Sequence, residues 1–382
     1  MHLKPEVKKD SWKASSDVAE QCCFAAGVPV ASQLKPPENM AFLIGAQKSG
    51  TTLLFHELTS RHPHIAAPQT LDIATNTSRT VKEPHYFDKV PLGSFDAYLG
   101  MLGGQGDDDA RTTWLDATPE NLLIPSAPCR IAAAFPRAKL IVVLKDPVQR
   151  ALSAWNMARH KEAKNTRTFA EQVADEIALL RNINCSFEAP TEEGGHARAA
   201  AAASSSSSST APPIITGATG AWQRAPGLPS WNDCFRCSFS YCGSYTGPKW
   251  GNVCASLNGS PLGSSTVRRG LYAYQLEWWL AHFLPSQLLV INSDQLGEST
   301  YEATLDKIIV FLGLDPKLKL PADWRAVKKH KFSLPYDGEV DVNVLRSLHA
   351  FYAHANSELY KLLASIGPGI GWSGTFPTKP CA

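Results

Sequence analysis

The sequence predicts an α/β fold, a single domain with a central, mostly parallel sheet flanked by helices. Three observations predict it. Short apolar runs at 41–45 and 139–144 read as buried strands, the second continuous and β-branched. Stretches with helical spacing alternate with such runs along the chain. Glycine or proline stands where strand gives way to helix, at Gly45, Gly50 and Pro147. Strands that alternate with helices pair in parallel and are covered on both faces.

The elements follow in order. Residues 1–40 show no periodicity, and Pro36-Pro37 closes them as a linker does. The domain then runs over 41–382. The strand at 41–45 leads through a glycine-bearing loop into a helix over 51–61, with Leu54, Leu58 and Arg61 at helical spacing. Residues 62–112 read mostly as loop, with a Gly/Asp-rich tip at 103–109. A second strand is predicted at 113–116 and the clearest one at 139–144. Pro147 opens a helix that runs towards His160, and another covers 169–182. Residues 186–266 break this rhythm with an alanine run, a serine run and a cluster of cysteines, and read as a partly disordered, Cys-containing insertion. Regularity resumes with a helix at 270–283, a strand at 287–292, a helix at 300–312, a basic loop at 317–331 and a long helix at 342–364.

Composition narrows the function classes. The hydrophobic content of 44% supports a sizeable core. A net charge of +2 is too small to mark a nucleic-acid binder, so an anionic ligand must be held by a local cluster. No apolar run approaches the ~20 residues a membrane-spanning helix needs, and residues 1–17 are polar and Lys-rich without a signal-peptide core. Those features favour a soluble, cytoplasmic protein. Nine cysteines, four of them at Cys234, Cys237, Cys242 and Cys254, and the sequons at Asn76, Asn184 and Asn258 favour the secretory pathway. The four clustered cysteines are expected to form disulfides, with a zinc site as the alternative.

The segment Gly45-Ala-Gln-Lys48-Ser49-Gly50-Thr51-Thr52 lies between a strand and a helix. Backbone N–H groups and the dipole at a helix start make an anion site there. The glycines let the chain curl round phosphate oxygens, Lys48 adds charge, and Thr51 and Thr52 add hydroxyls. The fold is thus of the P-loop type. Its pattern departs from that of nucleotide triphosphatases, because Thr51 stands where they need lysine.

A strand ending in Gly-x-x-Lys-x-Gly-Thr-Thr, then a helix closing on His62-Pro63, resembles the 5′-phosphosulfate loop of sulfotransferases that use 3′-phosphoadenosine 5′-phosphosulfate (PAPS). The likeness is to the Golgi carbohydrate branch, the heparan sulfate and chondroitin-type enzymes. Lys145-Asp-Pro-Val-Gln-Arg150-Ala-Leu-Ser153 resembles the family's 3′-phosphate motif, which implies that Lys145 and Ser153 hold the 3′-phosphate. Lysine stands where the family has arginine, so the bidentate fork is lost. Lys82-Glu83-Pro-His85-Tyr-Phe-Asp88 resembles the family's reacting segment, which implies Glu83 as general base with Lys82 and His85 beside it. Asp116-Ala-Thr-Pro119 resembles a segment of the acceptor site, with Ala117 in place of a lysine found in some heparan enzymes. Residues 270–280, 311–314 and the final helix also resemble family elements. Lys329 and Lys331, in the basic loop, lie where relatives cover the donor phosphates.

The resemblance implies a carbohydrate sulfotransferase that moves a sulfuryl group from PAPS to a hydroxyl or amine by in-line displacement, with no metal. Lys48, Ser49, Gly50, Thr51, Thr52, Lys145, Ser153, Lys329 and Lys331 are the expected donor-binding residues. A glycan is the expected acceptor and no nucleic acid is expected. The expected location is the Golgi lumen, with membrane association only if an N-terminal anchor precedes this sequence. A P-loop kinase or nucleotide hydrolase and a non-catalytic glycan-binding relative are the alternatives.

Overall fold

The computed structural model describes residues 32–72, 75, 77–88, 92–103, 111–124, 127–161, 167–182, 266–318, 340–372 and 374–376. Five strands make the main sheet: β1 (Asn39–Gly45), β2 (Ile65–Ala66), β5 (Thr113–Asp116), β6 (Lys139–Leu144) and β7 (Leu288–Asn292). A separate antiparallel hairpin consists of β3 (Gln69–Asp72) and β4 (Thr77–Thr80). The α-helices among the described residues are α1 (Thr51–Arg61), α2 (Phe95–Gly100), α3 (Ala127–Ala134), α4 (Pro147–Lys161), α5 (Phe169–Asn182), α6 (Tyr272–Leu280), α7 (Tyr301–Phe311) and α8 (Val342–Ile366).

The main sheet has the order β2-β5-β1-β6-β7 with every pair parallel. Its central strands are apolar without interruption because both faces are covered. Phe42, Ile44, Leu140, Val142 and Val290 point into one buried cluster, shared with α4, α6 and α8. Ala41, Leu43, Ile141, Val143 and Ile291 alternate with them into the other, filled by Leu54, Phe55 and Leu58 of α1 and Leu305, Ile308 and Ile309 of α7.

The topology marks one place on this sheet. After β1 the chain crosses to the β2 side, and after β6 it crosses to the β7 side. Those two neighbours therefore send their loops apart and leave a crevice at their carboxyl ends, where open parallel sheets bind ligands.

The predicted α/β class is the observed one, with differences in detail. β1 starts at Asn39, two residues earlier than expected. The stretch 62–112, read mostly as loop, contains β2, the β3–β4 hairpin and α2. β2 is two residues long, and the hairpin is exposed along nearly all its length, so neither carries an apolar period to read. The predicted insertion lies outside the described residues except for its last residue, the buried Thr266. The cysteine cluster and the three sequon asparagines also lie outside them.

Candidate active site

The crevice begins with the loop after β1. Gly45 is required by close approach: a Cβ there would lie 2.7 Å from Leu122 Cβ and 3.2 Å from the Pro119 carbonyl. The chain then turns through two left-handed residues, Lys48 at φ 69° and Gly50 at φ 98°. Glycine takes that conformation freely, whereas lysine takes it at a cost that a functional loop tolerates. Gly50 is the N-cap of α1 and provides no side chain to it, so the first-turn N–H groups keep their hydrogen-bonding capacity for a ligand. Ser49 is buried beside the Tyr272 hydroxyl, and its Oγ has no well-formed hydrogen bond of its own. Thr51 is buried and Lys48 and Thr52 are half-buried.

The second wall is the loop after β6. Asp146 caps α4 by accepting the Gln149 N–H at 2.9 Å, and burial pushes its carboxyl up from the ordinary range against those backbone donors. Lys145 and Ser153 are half-buried. A segment from far along the chain braces this loop. The Tyr272 hydroxyl donates to the Lys145 carbonyl at 2.8 Å. Gly270 packs so closely that a Cβ would lie 2.7 Å from Pro147 Cβ and 2.8 Å from the Tyr352 hydroxyl. Buried Glu176 accepts the N–H groups of Thr266, Val267 and Arg268 at 2.8, 2.9 and 2.9 Å. Arg150, fully buried, donates to the Thr266 carbonyl, and Tyr352 donates to that of Val267 at 2.6 Å. Glu176 and Tyr352 were not foreseen from sequence, since nothing local marks a partner ninety or so positions away.

The third wall is the segment 82–88, held beside the end of β5. The Ala117 N–H donates to the Lys82 carbonyl at 3.0 Å, and Lys82 Nζ returns to the Ala117 carbonyl at 3.2 Å. Lys82 also forms an ion pair with Glu83 Oε1. His85, left-handed at φ 53°, sits between two carboxylates: Nε2 is 3.4 Å from Glu83 Oε2, and Nδ1 is 2.7 Å from Asp88 Oδ2. Its backbone N–H donates to Thr118 Oγ1 at 3.4 Å. Thr118 is fixed in turn by buried Asp116, which accepts from its N–H at 3.0 Å, its hydroxyl at 2.7 Å and the Tyr98 hydroxyl at 3.0 Å. Tyr86 and Phe87 anchor the segment in an aromatic cluster with Phe95, Tyr98 and Phe135, and Arg130 donates to the Phe87 carbonyl at 3.0 Å.

The charges follow from this packing. Hydrogen bonds to Asp88 and Glu83 push the His85 imidazole up to about 10 against its burial, so it is a cation at neutral pH. Burial alone would push the Glu83 carboxyl up, but the His85 hydrogen bond and the Lys82 ammonium hold it at about 2. Burial pushes Asp116 up to about 6 in spite of the hydrogen bonds it accepts from Thr118 and Tyr98.

The three segments thus stand at the carboxyl ends of three neighbouring strands, β5, β1 and β6, which are spaced ~5 Å apart. Lys329 and Lys331 lie outside the described residues. Among the described residues no group of His, Cys, Asp and Glu is placed to hold a metal, and no helix is long and apolar enough to cross a membrane.

A parallel sheet of this order, with an uncapped strand–loop–helix at its switch point, defines an α/β protein of the P-loop type. Comparison with known proteins goes one step further. Residues 38–186 match the family described as the sulfotransferase domain. The membrane-associated sulfotransferase kil1 of Dictyostelium discoideum is 22% identical over 351 residues, covering 88% of this chain and 67% of that protein. Heparan sulfate glucosamine 3-O-sulfotransferase 6 of Mus musculus is 32% identical over 132 residues, 34% of this chain and 33% of that one. Human heparan sulfate glucosamine 3-O-sulfotransferase 3A1 is 24% identical over 353 residues, 87% of this chain and 62% of that one. The matches therefore span about two thirds of these relatives' lengths or less. The solved sulfotransferase of Alicyclobacillus acidocaldarius shares the fold, with a TM-score of 0.51 and 19% identity over 88% of this chain and 97% of that one.

Proposed function

We propose that the protein transfers the sulfuryl group of PAPS to a hydroxyl or amine of a carbohydrate. The observation that carries this reading is the juxtaposition at the crevice. An uncapped helix N-terminus with Lys48 stands at the end of β1, and a Lys–Glu–His cluster stands at the end of the neighbouring β5. The residues fit the donor. The α1 N–H groups, Lys48 and the hydroxyls of Ser49, Thr51 and Thr52 suit the 5′-phosphosulfate. Lys145 and Ser153, on the other lip, suit the 3′-phosphate.

PAPS supplies the sulfuryl group and a phosphate leaving group, and Lys48 with the α1 N-terminus would stabilise the charge that gathers there. Glu83 is the proposed base. Paired with Lys82 and His85 its carboxylate is a weak one, and it strengthens as Lys82 turns away towards negative charge developing on the reacting oxygens. His85, protonated between Glu83 and Asp88, serves as a cation that orients Glu83 and not as the base.

The kinase alternative has less support, because Thr51 stands at its lysine position and Asp146 is engaged as the cap of α4. The chemistry proposed calls on no metal, because Lys48 and the α1 N-terminus would neutralise the leaving phosphate. A secretory-pathway location is part of the proposal. Cys129 is disulfide-bonded, a state that oxidising compartments favour. The test is a transfer assay with labelled PAPS against a panel of polysaccharides. Label in a glycan product is expected, and PAPS-independent, Mg-ATP-dependent transfer would overturn the reading.

A further inference from the structure

The β3–β4 hairpin belongs to no part of the site described so far. It rises at the carboxyl edge of the sheet, because β2 leads into it and the reacting segment leads out of it. Its stem is fastened by Gln69 N–H to the Met101 carbonyl at 2.8 Å and by Val81 N–H to the Pro68 carbonyl at 2.7 Å. Among the described residues both faces above the stem are largely exposed. Thr70 is half-buried, its other strand residues are exposed, and Leu71 shows 61% of its surface. A lone two-stranded ribbon is marginal in water, so one that displays a leucine beside a reacting centre has a surface suited to a ligand.

The register says which face that is. Gln69 pairs with Thr80 and Leu71 with Ser78, so these four side chains share one face, while Thr70, Arg79, Asp72 and Thr77 share the other. The Val81–Pro68 bond adds one rung beyond β4 and stops one residue short of Lys82. This face therefore begins two residues from Lys82, at Thr80, and extends to Ser78, within roughly 13 Å of Lys82 at the rise of a strand. It offers an amide, two hydroxyls and one apolar side chain, and no charge. The hairpin as a whole has one Asp and one Arg. Among the described residues, Lys82 is paired with Glu83, and Arg269 makes a two-toothed pair with Glu120, one contact at 2.7 Å. Ala117 adds no charge either. Hydroxyls, an amide and an apolar patch recognise the OH groups and CH faces of sugar rings, whereas a polyanion calls for clustered Lys and Arg.

Resting on the sulfotransferase reading, we propose that the Gln69/Leu71/Ser78/Thr80 face of the hairpin is the acceptor platform, and that the acceptor is a glycan bearing few charges. The full chain is assayed with labelled PAPS on chemically desulfated heparin and on heparin itself, at low and raised salt. The acceptor KM should be lower for the desulfated chain and change less than about twofold with salt, as uncharged contacts are not screened. Leu71→Ala and Thr80→Ala should each raise it about 3- to 10-fold, with affinity for adenosine 3′,5′-bisphosphate unchanged. Thr70→Ala, on the other face, should leave it as it was. Preference for heparin with a steep salt dependence, or an acceptor KM indifferent to Leu71 and Thr80, would overturn the proposal. Bisphosphate binding without transfer to either chain would overturn it alone, and loss of both would overturn the sulfotransferase reading as well.

Discussion

Replacing Glu83 by glutamine tests the reacting centre, and the structure sets the size of each effect. Glutamine keeps the shape and removes the negative charge. Lys82 retains the Ala117 carbonyl at 3.2 Å, and His85 retains Asp88 at 2.7 Å, so each partner keeps one contact. Glu83 is 34% exposed, which limits the stability lost with its ion pairs to about 0–1 kcal/mol. Loss of a positioned base is worth far more, ~10²–10⁴-fold in rate, or about 3–5 kcal/mol of barrier. The assay pairs kcat with calorimetric affinity for adenosine 3′,5′-bisphosphate and with a melting curve. Turnover should fall by two to four decades while donor affinity and melting temperature hold. Near-normal turnover would remove Glu83 from the role. A parallel collapse of donor affinity would show that the residue shapes the crevice instead.

Further outcomes follow from the same contacts. Lys48→Ala should lower both kcat and donor affinity, because on the proposed reading its charge would meet the phosphate before and during transfer; kinetics with binding distinguishes this from the Glu83 result. Gly270→Ala drives a methyl into Pro147 and the Tyr352 hydroxyl, and should cost about 1–3 kcal/mol of overpacking, read as a lower urea midpoint. His85 has its pKa raised to about 10, so its contribution is complete below the unfolded value near 6.5 and is lost as pH rises through 10. The melting temperature of the wild type should therefore decline between pH 7 and 10 more than that of His85→Gln, and equal slopes would refute the assignment.

What the sequence revealed follows the range of the interactions. The helix at 51–61 and the strand at 139–144 were legible to the residue, because a glycine or proline punctuates each and the apolar pattern is local. The segments 45–52, 82–88 and 145–153 could be singled out for the same reason, since each carries its chemistry within a few positions. That Lys82 and Glu83 neutralise each other, and that His85 is locked as a cation, depends on side-chain geometry that spacing does not encode. The brace on the loop after β6 was equally hidden. Glu176, Tyr352 and Gly270 act there through contacts across a long stretch of chain. The hairpin escaped because exposure on both faces leaves no alternation to detect.

The central claim is that the crevice between β1 and β6 holds a nucleotide by its 5′- and 3′-phosphates together. Calorimetric titration of the full chain with adenosine 3′,5′-bisphosphate and, separately, with AMP tests it most directly. On the proposed reading Lys145 and Ser153 would give the first ligand contacts that the second cannot make, and charge-assisted hydrogen bonds to a phosphate are worth roughly 1.5–3 kcal/mol. The bisphosphate should bind at least about tenfold more tightly. Equal affinity for the two would contradict the account.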